Sequence, residues 1–393
     1  MAQKVVQVAV VVAVNMKFCR FQAGLFLVAL SPITLNAAIL PEDRADAMYH
    51  SYEGGGLQVD GPSVLVRKGF KEKVSVWANY YVDMISSASI DVMATASPYS
   101  EQRDEKSVGV DYLHGKTSMG LSYTNSEESD YTADTYAFGI SQDFFGDLTT
   151  LGLSYALGKD EVRRNFDDEF KDQVDRQSFG VSLSQIFTKN MVVNLTYSAI
   201  TDEGFLNNPY RSVRYADGSS PIGYSYEPEI YPRTRTSSAA AIRSLYYLPY
   251  EASVKAEYRY YSDTWGIKAS NGELGYTQTL PKGITMDVSY RYYTQDAADF
   301  YGDLFPRQQA QNFLARDKEL STFSSHTFGM GLTYEFGMKM LPFFKKGEIN
   351  LKADYMLFQY DDFRDVTSGA PVGEEPLYDF HSTVLRLFFS VYY

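Results

Sequence analysis

The nine residues LRLFFSVYY, Leu385 to Tyr393, alternate strictly. Leu385, Leu387, Phe389, Val391 and Tyr393 share one face, and Arg386, Phe388, Ser390 and Tyr392 share the other. Side chains along an extended chain point to opposite sides in turn, so the spacing predicts a strand with one fully apolar face. The same period recurs in SVGVDYL (107–113), SMGLSY (118–123), TYAFGIS (135–141), TLGLSYALG (150–158) and SFGVSLS (178–184). It continues in VNLTYSA (193–199), SVKAEYRYY (253–261), TMDVSYRYY (285–293), FGMGLTYEF (328–336) and INLKADYML (349–357). No sustained helical period competes. Segments of about ten residues with this alternation, separated by turn residues, are the pattern of a transmembrane barrel.

The connections alternate between short and long. Short turns are read at GFKEK (69–73), HGK (114–116), FFGD (144–147), TKN (188–190), PYE (249–251) and PKG (281–283), with a longer one around KMLPFFKK. Long polar loops are read at about 84–104, 125–133, 159–175, 201–234, 295–325 and 360–379. Fifteen strands follow residue 60 on this count. An odd number would leave the first and last strands parallel, so a further strand is placed at AMYHSYE (47–53). The expected fold is all-β: a transmembrane antiparallel barrel of about 16 strands with short periplasmic turns and long extracellular loops.

Composition agrees. There are 33 Tyr and 25 Phe against 2 Trp, and no stretch after the N-terminal segment holds 18 uninterrupted apolar residues, so a membrane chain of this kind would cross with strands. From Met16, MKFCRFQAGLFLVALSPITLNAA has a basic start, an apolar stretch and small residues at Ala37 and Ala38. Residues 1–37 are therefore read as a signal peptide, with Met16 as an alternative start, and 38–393 as an outer-membrane barrel. Removing Lys4, Lys17 and Arg20 takes the net charge from -13 to -16, which argues against a nucleic-acid partner. It also removes Cys19, the only cysteine, and with it disulfides and thiolate chemistry.

Cost decides which face meets lipid. In SVKAEYRYY, Val254, Ala256, Tyr258 and Tyr260 oppose Lys255, Glu257 and Arg259. A basic side chain facing lipid at the midplane costs roughly 2–4 kcal/mol, so the charged face must point into the lumen. Two lumen walls then differ. Between 107 and 198 the inward positions are small, among them Gly109, Gly120, Gly152 and Gly180; from 253 onward they include Lys255, Glu257, Arg259, Asp287, Arg291, Glu335, Lys352, Asp354 and Arg386. Either the small residues relieve curvature and the charges solvate a wet interior, or a loop or partner packs on the small wall while the charged wall orders solute or plug.

The stretch DMISSASIDVMATASPYSEQRDE (83–105) is poor in charge until its end. Asp83, Ser86, Ser87, Asp91, Tyr99, Glu101 and Arg103 would line a lumen constriction if it folds inward; otherwise it extends a hairpin above the membrane. Together with SYEGGGLQVDGPSVLV before it and EKSVGVDYLHGKTSMGLSYTNSEESDY after it, this stretch resembles the bacterial outer-membrane family catalogued as domain of unknown function 3570. The resemblance runs through nearly all of the chain after the leader. It implies a barrel without an established activity, in the company of a small Gly- and Cys-rich lipoprotein, a thioredoxin-like protein and a flavin transferase.

The residues offer little catalytic chemistry. His50, His114, His326 and His381 are far apart, and Ser325 and His326, as strand neighbours, point to opposite faces and form no dyad. The acidic runs at 126–130, 167–175 and 360–365 lack the spacing and turn glycine of a calcium loop and are read as solvated exterior loops, without a metal site. The EGGG at 53–56 is read as a turn, and any cofactor would arrive with a partner. The expected function is a non-enzymatic outer-membrane channel, translocation pore or scaffold, its lumen occupied by an inserted loop, a small lipoprotein or a peptide. Its surroundings would be outer-membrane lipid and lipopolysaccharide, and the barrel-assembly machinery during insertion. The alternatives are an outer-membrane enzyme with a polar site at the loop face, or a surface-display barrel that conducts nothing.

Overall fold

A computed structural model describes residues 39–87, 99–338 and 343–393; the expected signal peptide and Asp91 lie outside them. The strands are β1 (Arg44–Gly54), β2 (Leu57–Phe70), β3 (Val74–Ser87), β4 (Tyr99–His114), β5 (Thr117–Glu127) and β6 (Tyr131–Phe144). They continue as β7 (Thr149–Arg164), β8 (Asp167–Thr188), β9 (Met191–Gly204), β10 (Ser212–Ala216), β11 (Tyr224–Pro228) and β12 (Thr234–Leu248). The last are β13 (Ala252–Asp263), β14 (Lys268–Leu280), β15 (Ile284–Gln295), β16 (Phe323–Gly337), β17 (Lys346–Arg364) and β18 (Leu377–Tyr392). Among the described residues, sixteen strands form one closed antiparallel barrel, and β10 and β11 form a separate two-stranded sheet. No described helix is long and apolar enough to cross a membrane.

Closure is made by the strand inferred from parity. β1 pairs with β2 on one side and β18 on the other, with His50 opposite both Gly61 and Arg386. No open edge is left on that seam, which hydrocarbon requires because it offers backbone N–H and C=O groups no partner. The β1–β2 turn uses Gly55 and Gly56 at φ +58° and +75°, the left-handed region that glycine enters without cost.

The outward face is apolar and exposed along every wall, as at Leu195, Val254, Tyr258, Leu274, Phe328, Leu385 and Leu387. Exposed tyrosines such as Tyr246, Tyr260, Tyr292 and Tyr355 add the amphipathic rings that suit the membrane interfaces. The turns at 71–73, 115–116, 145–148, 189–190, 249–251 and 281–283 lie at one end, and the long connections lie at the other, together with the short β1–β2, β5–β6, β7–β8 and β13–β14 links. The loops expected at 125–133 and 159–175 are instead mostly strand. The β5–β6 link is residues 128–130, the β7–β8 link is Asn165 and Phe166, and β8 runs for 22 residues. Polarity misled the reading because a strand pair that rises clear of the membrane has water on its outer side and needs no apolar face there.

A charge on the outward face should cost more than one on the inward face. Leu195→Arg, near the middle of β9, is expected to lower barrel stability by ~2–4 kcal/mol, and Thr196→Arg, on the neighbouring inward position, by clearly less, measured by urea unfolding in lipid vesicles.

Candidate functional site

The inward face is a lattice of ion pairs. Lys255 pairs with Glu273, Arg243 with Glu257 and Arg386 with Asp354, and Lys352 stands 3.9 Å from Asp287. Glu335 sits near the turn end, 2.8 Å from Lys346. Glycines on this face make room for these groups: a Cβ on Gly331 would collide with Asp287, and one on Gly329 with Ser289 and Asp354. On the small wall, Gly109 gives its space to the inward Trp77, and a Cβ on Gly120 would touch Asp111, which pairs with Arg67. Gly152 is buried and Gly180 half-buried on the same wall.

Of the residues between 83 and 103, those described belong to the β3–β4 hairpin. Asp83 lies opposite Arg103, Ser86 opposite Ser100, and Ser87 opposite Tyr99. Asp83 and Arg103 form an ion pair with both side chains 1% exposed, whereas Ser86 faces outward. The second oxygen of Asp83 is 2.8 Å from His50 Nε2, which also lies 3.2 Å from the Tyr81 hydroxyl. Sequence reasoning missed this His–Asp pair, whose partners stand 33 residues apart. The other ring nitrogen, Nδ1, is buried with no hydrogen-bond partner among the described residues, so the pair does not extend to a nucleophile as a catalytic triad would. His326 lies on the face opposite the buried Ser325 and meets the Tyr290 hydroxyl at 2.8 Å.

Above the membrane the long connections converge into a cap. Tyr231, Trp265, Ile267, Ala298, Phe300, Ala315 and Leu320, from three different connections, share one hydrophobic core. Beside it Val213 of β10 packs with Phe305 and Leu314. Charges tie this cap to its neighbours. The fully buried Arg214 binds Asp303 and Glu375, Arg316 reaches Asp303 Oδ1 at 2.9 Å, and Arg211 reaches Asp317 at 2.9 Å. Tyr210 donates to Asp130 at 2.5 Å, and the backbone N–H of Asn165 donates to the Tyr210 hydroxyl at 2.6 Å. Connections after β5, β7, β9, β13, β15 and β17 are thus joined. The short 3-10 helix Lys318–Leu320 is held against the top of β15, where the Gln295 side-chain amide donates to the Glu319 and Ser321 carbonyls at 2.9 and 2.8 Å.

Between residues 205–210 and the inner wall lies a cavity of about 100 Å³, lined by Arg176, Asp202, Arg235, Tyr261 and Trp265 among others. Two of its arginines are closely paired: Arg176 with Asp202, and Arg235 with Asp263, with Arg235 also 4.3 Å over the Trp265 ring. Glu128 and Asp130, expected in a solvated loop, are buried because the β5–β6 turn folds against β4. There one carboxylate oxygen from each of them and one from Glu101 lie within 4.8 Å of one another. That donor set suits a hard cation. Burial pushes the carboxyls of Glu101 and Asp130 up, so the cluster also holds protons more readily than free carboxylates do.

The family described as protein of unknown function DUF3570 matches residues 90–361, more than half of the chain. The chain belongs to this family. No curated protein sequence matches it. Among solved structures, a barrel titled bacterial polysaccharide outer membrane secretin aligns over 90% of this chain and 100% of its own, with a TM-score of 0.51 and 8% identity. The outer membrane protein opdK from Pseudomonas aeruginosa covers 90% and 99% at a TM-score of 0.41 and 10% identity. A loop-deleted OmpT from Vibrio cholerae covers 89% and 99% at 0.40 and 8%. The DUF3570 chain shares its fold with the first of these, and its closed barrel with an apolar outer wall is that of a bacterial outer-membrane protein in contact with membrane lipid.

Glu229 gives the cap a pH dependence. It accepts from the Tyr231 hydroxyl at 2.7 Å and from the backbone N–H of Arg316 at 2.8 Å. Burial pushes its carboxyl from 4.5 up to about 7, with Arg211 opposing and Asp317 reinforcing the shift. The packed cap therefore holds a proton that the opened cap releases. The contribution is complete below pH 4.5 and is lost as the pH rises through about 7. Hydrogen exchange of residues 296–322, corrected for intrinsic rates, is expected to accelerate over that interval and to become flat in Glu229→Gln.

Proposed function

We propose that this DUF3570 barrel is a non-enzymatic translocation pore whose outer mouth is held shut at rest by its own loops. The observation that carries this reading is the cap: three loop-side connections packed on one hydrophobic core, with three more tied to them by hydrogen bonds and a buried arginine–carboxylate network. Mobile display loops would not need such a core. A lumen walled by charges and small residues suits a polar cargo, and the fold shared with a barrel titled a polysaccharide secretin is compatible with export or import. The occupant below the cap would be an inserted segment of the chain or a small lipoprotein or peptide, entering from the short-turn end. Insertion would run through the barrel-assembly machinery, for which β18 with its aromatic end is the fitting signal.

Asp303 is the lock. It holds Arg214 and Arg316, and accepts from the Arg364 backbone N–H at 3.2 Å. Asp303→Ala would strip a carboxylate from two buried guanidiniums and loosen the cap by roughly 3–5 kcal/mol. Planar-bilayer recordings are expected to show low conductance for the unaltered protein and a several-fold rise for Asp303→Ala. High conductance in both would reject a closing cap.

A further inference from the structure

We propose that the cavity between residues 205–210 and the inner wall is a binding site for a neutral sugar, taking one pyranose ring. The inference rests on the pore reading for its role and deepens it by naming the solute class.

A row of ionic side chains forms the wall of this cavity. Arg176 on β8 lies directly opposite Asp202 on β9, Asp202 lies directly opposite Arg235 on β12, and all three line the cavity. Side chains opposite one another on adjacent strands start about 4.5–5.5 Å apart, so donor, acceptor and donor stand within reach of the hydroxyls of one small ring. Asp202 accepts from Arg176 Nε through Oδ1, and Arg235 donates from Nε and Nη2 to Asp263 at 2.9 and 2.5 Å. A carboxylate has about four acceptor positions and a guanidinium five donors, so Asp202 Oδ2 and Arg235 Nη1 keep capacity for a ligand. Phe205 and Leu206 on the covering segment and Tyr261 and Trp265 on the wall supply apolar surface. The Trp265 Nε1 donates to the Thr234 carbonyl at 3.0 Å and the Tyr261 hydroxyl to Asp263 at 2.8 Å, so these two residues meet the cavity as ring carbon.

Chemistry then narrows the occupant. Each cation in the lining has a carboxylate within 4.0 Å: Arg163 has Glu161 at 3.8 Å, Arg176 has Asp202, and Arg235 has Asp263. A carboxylate or phosphate ligand would have to displace one of these acids. An organic cation seeking Asp202 would meet an arginine on either side of it. An apolar solute would take water from Asp202 and Arg235 and return no hydrogen bond, which costs. A sugar hydroxyl donates and accepts at once, so it bonds to the row without breaking a pair, while the C–H face of the ring lies against aromatic carbon. One water needs about 10–15 Å³, so a cavity of about 100 Å³ holds a cluster of waters or one sugar ring, not a chain of them. Tyr210, in the same lining, is exposed at the outer end, and Tyr261 belongs to the barrel wall, so the cavity lies between the outside and the lumen.

Trp77 and Trp265 are the two tryptophans of the chain, so Trp77→Phe leaves the cavity residue as sole fluorescent reporter. The test is titration of that signal with glucose, galactose, mannose and glucuronate, each separately, on the intact barrel in a detergent without a sugar head group. At least one neutral sugar should give a saturable change, and glucuronate should bind more weakly. Asp202→Asn weakens the acceptor and Ser237→Leu fills the cavity; each should weaken sugar binding by about tenfold or more. Ser289→Ala, on β15 and outside the lining, should not. Unchanged heat-modifiable migration in gels would show that each variant is a folded barrel. No saturable change, equal binding in all variants, or tighter binding of glucuronate than of any neutral sugar overturns the proposal. Because binding is read without conduction, a barrel that binds sugar but never conducts would overturn the pore reading and leave the site standing.

Discussion

Inside a bilayer every backbone N–H and C=O must find a partner within the protein, and the seam between β1 and β18 is where this chain meets that requirement. Closure then dictates the rest. With no edge to hide, one face of each strand belongs to lipid and the other to the lumen, and the period of two sorts every side chain accordingly. Most of the basic residues forced inward pair with a carboxylate on the neighbouring strand, as Lys255 and Arg386 do, or on the next but one, as Lys352 and Arg67 do. The glycines of β16 exist in that context: Gly329 and Gly331 leave the space that Asp354 and Asp287 occupy.

Above the membrane the logic changes. Water can satisfy backbone there, so the chain is free to spend long connections on a second hydrophobic core. Trp265, Tyr231 and Phe300, within 5.2 to 5.5 Å of each other, anchor it. Asp303, shared by two arginines, couples it to the connection after β17. A barrel whose wall is rigid and whose roof is a separate packed unit can open without unfolding its membrane part.

Alternation made the barrel legible, because burial against lipid imposes its period on every strand. Parity revealed β1, although its own sequence, with Asp46, His50 and Glu53, carries a weak pattern. The cap was not legible. Its core residues are single aromatics scattered through polar connections, and nothing local says that Trp265 and Phe300 will meet. The same holds for His50 with Asp83, for Glu101 with Glu128 and Asp130, and for Trp77 over Gly109, all of which depend on register between strands. Arg259 and Arg291 were visible as inward charges from spacing alone. That neither has a carboxylate at ion-pair distance among the described residues emerged only from the geometry of the pairs around them.

The claim on which the rest leans is that the roof is a packed unit on a rigid wall. Since the only cysteine is Cys19, spin labels at Asn312→Cys in the cap and Asp168→Cys at the start of β8 would report on that geometry without interference. Electron–electron double resonance on the barrel in lipid should give one narrow distance distribution. A broad distribution, spread as for a chain end in water, would mean the loops do not form a cap, and the account of a shut pore would fall with it.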